Sequence, residues 1–220
     1  MGRALLELLS RQHGIRVLVL RRKGGRPIPP LPGVCQRVVS FSSSASLARA
    51  FLSFRPQAVV HAAATGMEIP RPSLLAMVDA NVTLPLRLLQ QASRCGPAHF
   101  IMVSTGLAYR DQGRPLQEED PLGTVHPYAA TKAVADLLLR AAGPALRIRL
   151  TVLRPFSFTG PGDKGSRLFP SLLRAASRGK KISLTGGRQI RDFLSSADVA
   201  SGGPCRPSAS PGVLARTSHL

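Results

Sequence analysis

Four short apolar runs, at 15–20, 58–61, 100–103 and 150–153, are each cut off by polar or turn residues, and helix-forming sequence lies between them. A short apolar run with no polar alternation reads as a strand buried on both faces. Such strands run parallel, and each needs a crossover to reach the next. The helical stretches at 2–10, 46–54, 72–94, 128–142 and 168–178 supply the crossovers, with Pro85 expected to kink the third. Short strands are further expected at 37–39 and 182–184, and loops at 24–33, 111–126 and 156–165. Strands alternating with helices predict an α/β chain with a doubly wound parallel sheet.

The run at 100–103 ends abruptly in Ser104-Thr105. In an open α/β sheet, chemistry collects outside the carboxyl ends of the strands. Tyr128 and Lys132 open the next helix and, four apart, share one face of it. A phenol titrates near ~10, too high for a base at neutral pH, and a neighbouring ammonium lowers that value. A hydroxyl such as Thr105 can hold a substrate oxygen while the phenol gives or takes its proton. These are the parts for proton transfer coupled to hydride transfer at an alcohol or ketone. The same two residues also fit an ordinary helix whose Tyr packs and whose Lys faces water.

The chain is strongly basic: Lys+Arg 30 against Asp+Glu 11 in 220 residues, a net charge of +19. Such a balance points towards anionic partners. The arginines are scattered, only five of the 30 cations are lysines, and aromatics make up 5% with no Trp. That leaves little for bases to stack on, so anionic small ligands are favoured over nucleic acid. Cys35, Cys95 and Cys205 have neither metal-site spacing nor a disulfide framework, which suits a reducing cytoplasm. No apolar run approaches the roughly 20 residues needed to cross a bilayer, so no membrane partner is expected.

Taken together, the motifs resemble those of the extended short-chain dehydrogenase/reductases, the NAD-dependent epimerase/dehydratase group, from Gly2 to about Ala200. His61-Ala62-Ala63 resembles the motif after the family's fourth strand. Asn81 matches the Asn of the following helix. Ser104-Thr105 through Tyr109 matches the Ser/Thr motif, and Tyr128-x-x-x-Lys132 the catalytic pair. Leu153-Arg154-Pro155-Phe156 with Gly160-Pro161-Gly162, and Arg191-Asp192-Phe193 with Asp198-Val199, match the later segments.

The resemblance implies a Rossmann-like fold and these roles: Tyr128 as acid/base, Lys132 lowering its pKa and bonding the nicotinamide ribose, and Thr105 orienting the substrate oxygen. Gly2, His61, Ala62, Ala63, Asn81 and Pro155 would border the cofactor, and Ser104, Ser157 and Arg191 the substrate. Arg191 would pair with a substrate phosphate. Arg21 and Arg22 follow the strand at 15–20, and no acid lies between Glu7 and Glu68. An acid there usually bonds the ribose hydroxyls of NAD, whereas Arg accommodates a 2′-phosphate. NADP is therefore favoured over NAD, although a basic strand end facing water fits as well.

The pattern breaks at both ends. The family's first strand and two glycines of its phosphate loop have no match, which would leave the strands at 15–20 and 58–61 without a central neighbour. Residues 201–220 are rich in Gly, Pro and Ser and read as a disordered tail. The expected organisation is a cofactor domain over 1–165, a partial substrate lobe over 166–200 and the tail. Gly106-Leu107 stands where dehydratases carry an Asp-Glu pair, which disfavours dehydration. The expected function is an NAD(P)-dependent epimerase or reductase of a nucleotide sugar or related hydroxy/keto compound. The resemblance also admits a homodimer. The alternative is a non-catalytic truncated relative acting as a binding partner.

Overall fold

The run at 100–103 lies in strand β4 (His99–Val103), whose side chains divide between the two faces of a sheet. Phe100 and Met102 enter one core cluster, and Ile101 and Val103 the other. In β1 (Arg16–Arg21), Leu18 and Leu20 lie opposite Val17 and Val19 in the same way; in β3 (Ala58–His61), Val59 lies opposite Val60. Successive side chains of a strand point to opposite faces. When both faces are covered, every position must be apolar, and the sequence shows an unbroken run.

The computed structural model describes residues 1–68, 70–96, 99–163, 167–188 and 190–202, together with the backbone of 212–216. With β2 (Val34–Val38), β5 (Arg149–Leu153) and β8 (Gly212–Arg216), these strands form a six-stranded sheet in the order β2-β1-β8-β3-β4-β5. Every pairing in it is parallel. Helices α2 (Ser44–Phe54), α4 (Leu84–Ser93) and α5 (Pro127–Ala145) pack on one face, and α1 (Gly2–Ser10) and α7 (Ser196–Gly202) on the other. The Leu5, Leu6 and Leu9 stripe of α1 is buried there as its spacing requires. A second, two-stranded sheet joins β6 (Ser157–Thr159) to β7 (Phe193–Ser195), and α6 (Leu168–Ser177) lies on the chain between them.

Four expectations need correction. The tail is not irregular throughout: α7 runs to Gly202, and β8 enters the large sheet between β1 and β3, the place of the family's first strand. Its register sets Leu214 beside both Leu18 and Val59. A gap there would orphan two rows of backbone donors and acceptors, and a short strand satisfies both. The strand expected at 182–184 is absent; Ile182 and Leu184 are exposed, and β7 takes the pairing with β6 instead. The loop expected at 156–165 contains β6.

Finally, the helix expected over 72–94 is three pieces. Between α3 (Leu74–Val78) and α4 lies a π-helical turn (Asp79–Thr83), in which the Leu84 amide reaches back to the carbonyl of Asp79. Pro85, which has no N–H to give, follows at once. The break is therefore a π-turn ahead of the proline, a feature often found near functional sites.

Candidate active site

That π-turn presents Asn81 to the interior. Its side chain is completely buried: Oδ1 accepts from the Thr65 amide (2.9 Å), while Nδ2 donates to the Thr65 carbonyl (2.8 Å) and to Thr131 Oγ1 (2.9 Å). The Thr131 hydroxyl donates in turn to the Tyr128 carbonyl (2.8 Å). Asn81 thus ties the loop after β3 to the first turn of α5. Both amide hydrogens are committed to protein acceptors, so it holds the scaffold in place.

Thr105 caps a short 3₁₀ turn (Gly106–Ala108), its Oγ1 accepting from the Leu107 amide at 3.3 Å. The Ser104 amide donates to Leu153 O and the Gly106 amide to Pro155 O, which fastens the turn to the end of β5. A Cβ on Gly106 would lie 2.7 Å from the Phe156 ring, so only glycine lets this approach happen. The Ser104 hydroxyl is buried with no hydrogen-bond partner among the described residues.

Lys132 does not face water. It has no exposed surface, and Nζ donates to the Val103 carbonyl at the end of β4, two residues before Thr105. Burial lowers its pKa to about 7, against the opposing pull of the Asp136 carboxylate. Tyr128 lies one turn earlier, in a seat whose other wall is Gly66. Gly66 has φ +120°, and a Cβ on it would meet Met77 Sδ at 2.7 Å and Tyr128 Cβ at 3.2 Å. Helix α5 packs on the 3₁₀ turn that follows Thr105, so all three residues belong to elements meeting at the carboxyl end of β4.

The sequence predicts that Lys132 depresses the phenol. In this structure the Tyr128 phenol is raised above its ordinary value by burial; Arg167 pulls it down and Glu68 pushes it up. The phenol therefore carries its proton at neutral pH. Glu68 is itself held in the loop after β3, where Thr65 Oγ1 donates to Oε1 (2.6 Å) and the Gly66 amide to Oε2 (2.5 Å).

The remaining expected residues fall as follows. His61 ends β3 fully buried, Ala63 is buried and Ala62 partly so. Gly2 opens α1. Arg21 turns back on its own loop, Nη1 donating to the Gly25 carbonyl, while Arg22 is exposed. Ser157 starts β6, and exposed Arg191 stands two residues before β7, at the same end of the small sheet. Sequence reading missed Thr65, Glu68 and Arg167, which no spacing picks out. It also missed Asp136, which did leave a signal: an acid four residues past Lys132, between inward-facing Ala135 and Leu139. Among the described residues no His/Cys/Asp/Glu group could hold a metal ion, and no helix is long and apolar enough to cross a membrane.

A parallel sheet in this order, with helices on both faces and its polar side chains gathered at the carboxyl end of β4, is a Rossmann-like architecture. The chain belongs to the NAD dependent epimerase/dehydratase family, whose family model matches residues 1–203. It is 29% identical over 167 residues to the UDP-glucuronate 4-epimerase of Thermodesulfobacterium geofontis, covering 74% of this chain and 52% of that protein. It is 31% identical over 176 residues to the dTDP-glucose 4,6-dehydratase of Neisseria gonorrhoeae, covering 74% of this chain and 51% of that protein. Its fold resembles the Bordetella bronchiseptica enzyme WbmG, solved in complex with NAD and UDP. The TM-score is 0.78 at 24% identity, over 97% of this chain and 68% of that one. The chain spans about half the length of the curated relatives it matches.

Proposed function

We propose that this chain carries the cofactor-binding region and the catalytic side chains of a nucleotide-sugar epimerase or reductase that uses NAD or NADP. The observation that carries the reading is Lys132: an ammonium fully buried at the carboxyl end of β4, one turn from a protonated phenol and hydrogen-bonded to the last carbonyl of the strand that leads into the Ser104-Thr105 corner. Burying an amine is costly, and a surface helix has no need of it. The fit to a dinucleotide rests on two features. Among the described residues, the Ser104 hydroxyl is buried at that corner without a partner, and the Val103 carbonyl takes one of the three donors an ammonium has.

Lys132 and Tyr128 would hold the nicotinamide ribose. His61, Ala62, Ala63 and Pro155 would border the cofactor, Gly2 would lie at its phosphates, and Arg21 and Arg22 at the adenosine ribose. A bound nicotinamide supplies the hydride acceptor or donor. Tyr128 then passes a proton to or from the substrate oxygen, and the Thr105 hydroxyl orients that oxygen. Ser104 and Ser157 would contact the sugar and Arg191 a phosphate. Residues 1–165 would bind cofactor and 166–200 begin a substrate lobe. Gly106-Leu107 provides no carboxylate pair, which favours epimerisation or reduction over dehydration.

NADH and NADPH titrations followed by fluorescence, and turnover of UDP- and dTDP-sugars, test the reading. Tyr128→Phe should abolish turnover and spare cofactor binding. No binding at millimolar cofactor, or turnover retained without the phenol, would overturn it.

A further inference from the structure

Asp136 has no exposed surface and lies on α5 one turn beyond Lys132 and two beyond Tyr128. A carboxylate taken out of water needs cations around it, and two guanidiniums meet this one. Arg154 donates from Nε to Oδ2 at 2.7 Å, with its Nη2 also 2.7 Å from that oxygen, and Arg140 Nε donates to Oδ1 at 2.5 Å. Arg154 is nearly buried as well. Its Nη1 donates to the phenol oxygen of Tyr109 (2.7 Å) and, over a longer 3.3 Å, to the Glu118 carbonyl. The guanidinium lies 5.0 Å over the Tyr109 ring.

The chain positions of these partners matter. Tyr109 directly follows the 3₁₀ turn that Thr105 caps. Arg154 directly precedes Pro155, whose carbonyl takes the Gly106 amide. A single carboxylate on α5 therefore fixes both segments that flank Thr105 to the helix that carries Tyr128 and Lys132.

We propose that Asp136 is a positioning residue for the reaction: through Arg154 it locks the Thr105 turn against α5, and its charge balances the buried Lys132 ammonium from one helical turn away. The groups around it are Lys132 and Arg140 from α5, Arg154 from the end of β5, and the Tyr109 phenol from beyond the 3₁₀ turn. Lys132 meets in addition the β4 carbonyl of Val103. Arg140 is half exposed, so water screens it; Arg154 and Asp136 are not screened. The proposal rests on reading Lys132 as part of the active site, but it can be tested without cofactor or substrate.

The test follows Lys132 directly. The full chain, labelled with ¹³C at lysine Cε, is titrated by NMR with no cofactor present. Wild type should titrate near pH 7. Asp136→Asn should weaken proton binding at Lys132 about tenfold, and Asp136→Glu should restore it. Arg154→Gln should strengthen proton binding, because a competing cation is gone. The opposite signs are the discriminating result. A packing defect that lets water reach Lys132 would strengthen proton binding in both variants, and that outcome would overturn the proposal, as would an unmoved midpoint in folded Asp136→Asn. Should Asp136→Asn not fold, the unaltered protein still decides: the ¹³C-labelled Asp136 carboxyl carbon must show a step at the Lys132 midpoint, and its absence would refute the coupling. If wild type binds neither NADH nor NADPH, the proposed function fails while this titration still reports on Asp136.

Discussion

Lys132→Met removes a buried ammonium and nearly preserves the volume of the side chain. In the folded protein the amine gives up its proton near pH 7, because burial leaves the charged form without water. In an unfolded chain it keeps that proton until about pH 10.5. Between those values the unfolded state binds more protons than the folded one, so this group makes stability rise with pH. Each pH unit of difference is worth about 1.36 kcal/mol. The cost of carrying the charge into the fold is then about 5 kcal/mol well below pH 7, about 4 at pH 7 and about 2 at pH 9. Methionine has no such dependence, and the other titrating groups are common to both proteins. Urea unfolding of wild type and Lys132→Met at pH 7 and pH 9 should therefore show the wild type gaining on the variant by about 2 kcal/mol as pH rises. Below pH 6 the difference between them should level off. A difference independent of pH would mean that Lys132 is solvated in solution, and the argument from its burial would fall with it.

Three further perturbations probe the scaffold. Leu214→Pro takes an amide from β8, a strand paired on both edges; leaving a buried acceptor without its donor should cost about 1–3 kcal/mol in urea unfolding, and hydrogen exchange should quicken in both β1 and β3. Unchanged exchange in either strand would count against β8 lying between them. Asn81→Ala leaves the Thr65 amide and carbonyl unpaired and should cost about 2–4 kcal/mol, whereas Asn81→Asp should rescue only the bond to the Thr65 amide. Gly66→Ala forces a side chain into a φ of +120° against Met77 and Tyr128. It should lower stability by about 1–3 kcal/mol and weaken cofactor binding, because the added methyl presses on the Tyr128 seat. A thermal melt identical to wild type would show that the loop relaxes freely.

The neighbours of Tyr128 and Lys132, the pair proposed to be catalytic, shift each of them in a particular direction. The Tyr128 phenol is raised mainly by its burial, and its two charged neighbours, Arg167 at the start of α6 and Glu68 in the loop after β3, lower and raise it in turn. Lys132 is set chiefly by its burial, which lowers its pKa, with the Asp136 carboxylate one turn on pulling the other way. The two residues share a helix face, yet each answers to a different part of the fold. A change at Glu68 is therefore expected to move the pH dependence of proton transfer, and a change at Asp136 that of the lysine.

Local chemistry was enough to read β1, β3 and β4, because a strand covered on both faces must be apolar at every position, and so few other folds accept such runs. The shared face of Tyr128 and Lys132 was equally legible, since 3.6 residues per turn fix it without reference to the rest of the chain. Asp136 left a trace in the same periodicity, but its partner Arg154, and the Tyr109 phenol that Arg154 bonds in turn, lie 18 and 27 residues from it along the chain, and only packing brings them together. The largest surprise was residues 212–216. Nothing in Gly212-Val-Leu-Ala-Arg216 marks a central strand. It becomes one because β1 and β3 each present an unpaired edge, and the free energy of closing that gap belongs to the slot and not to the segment that fills it.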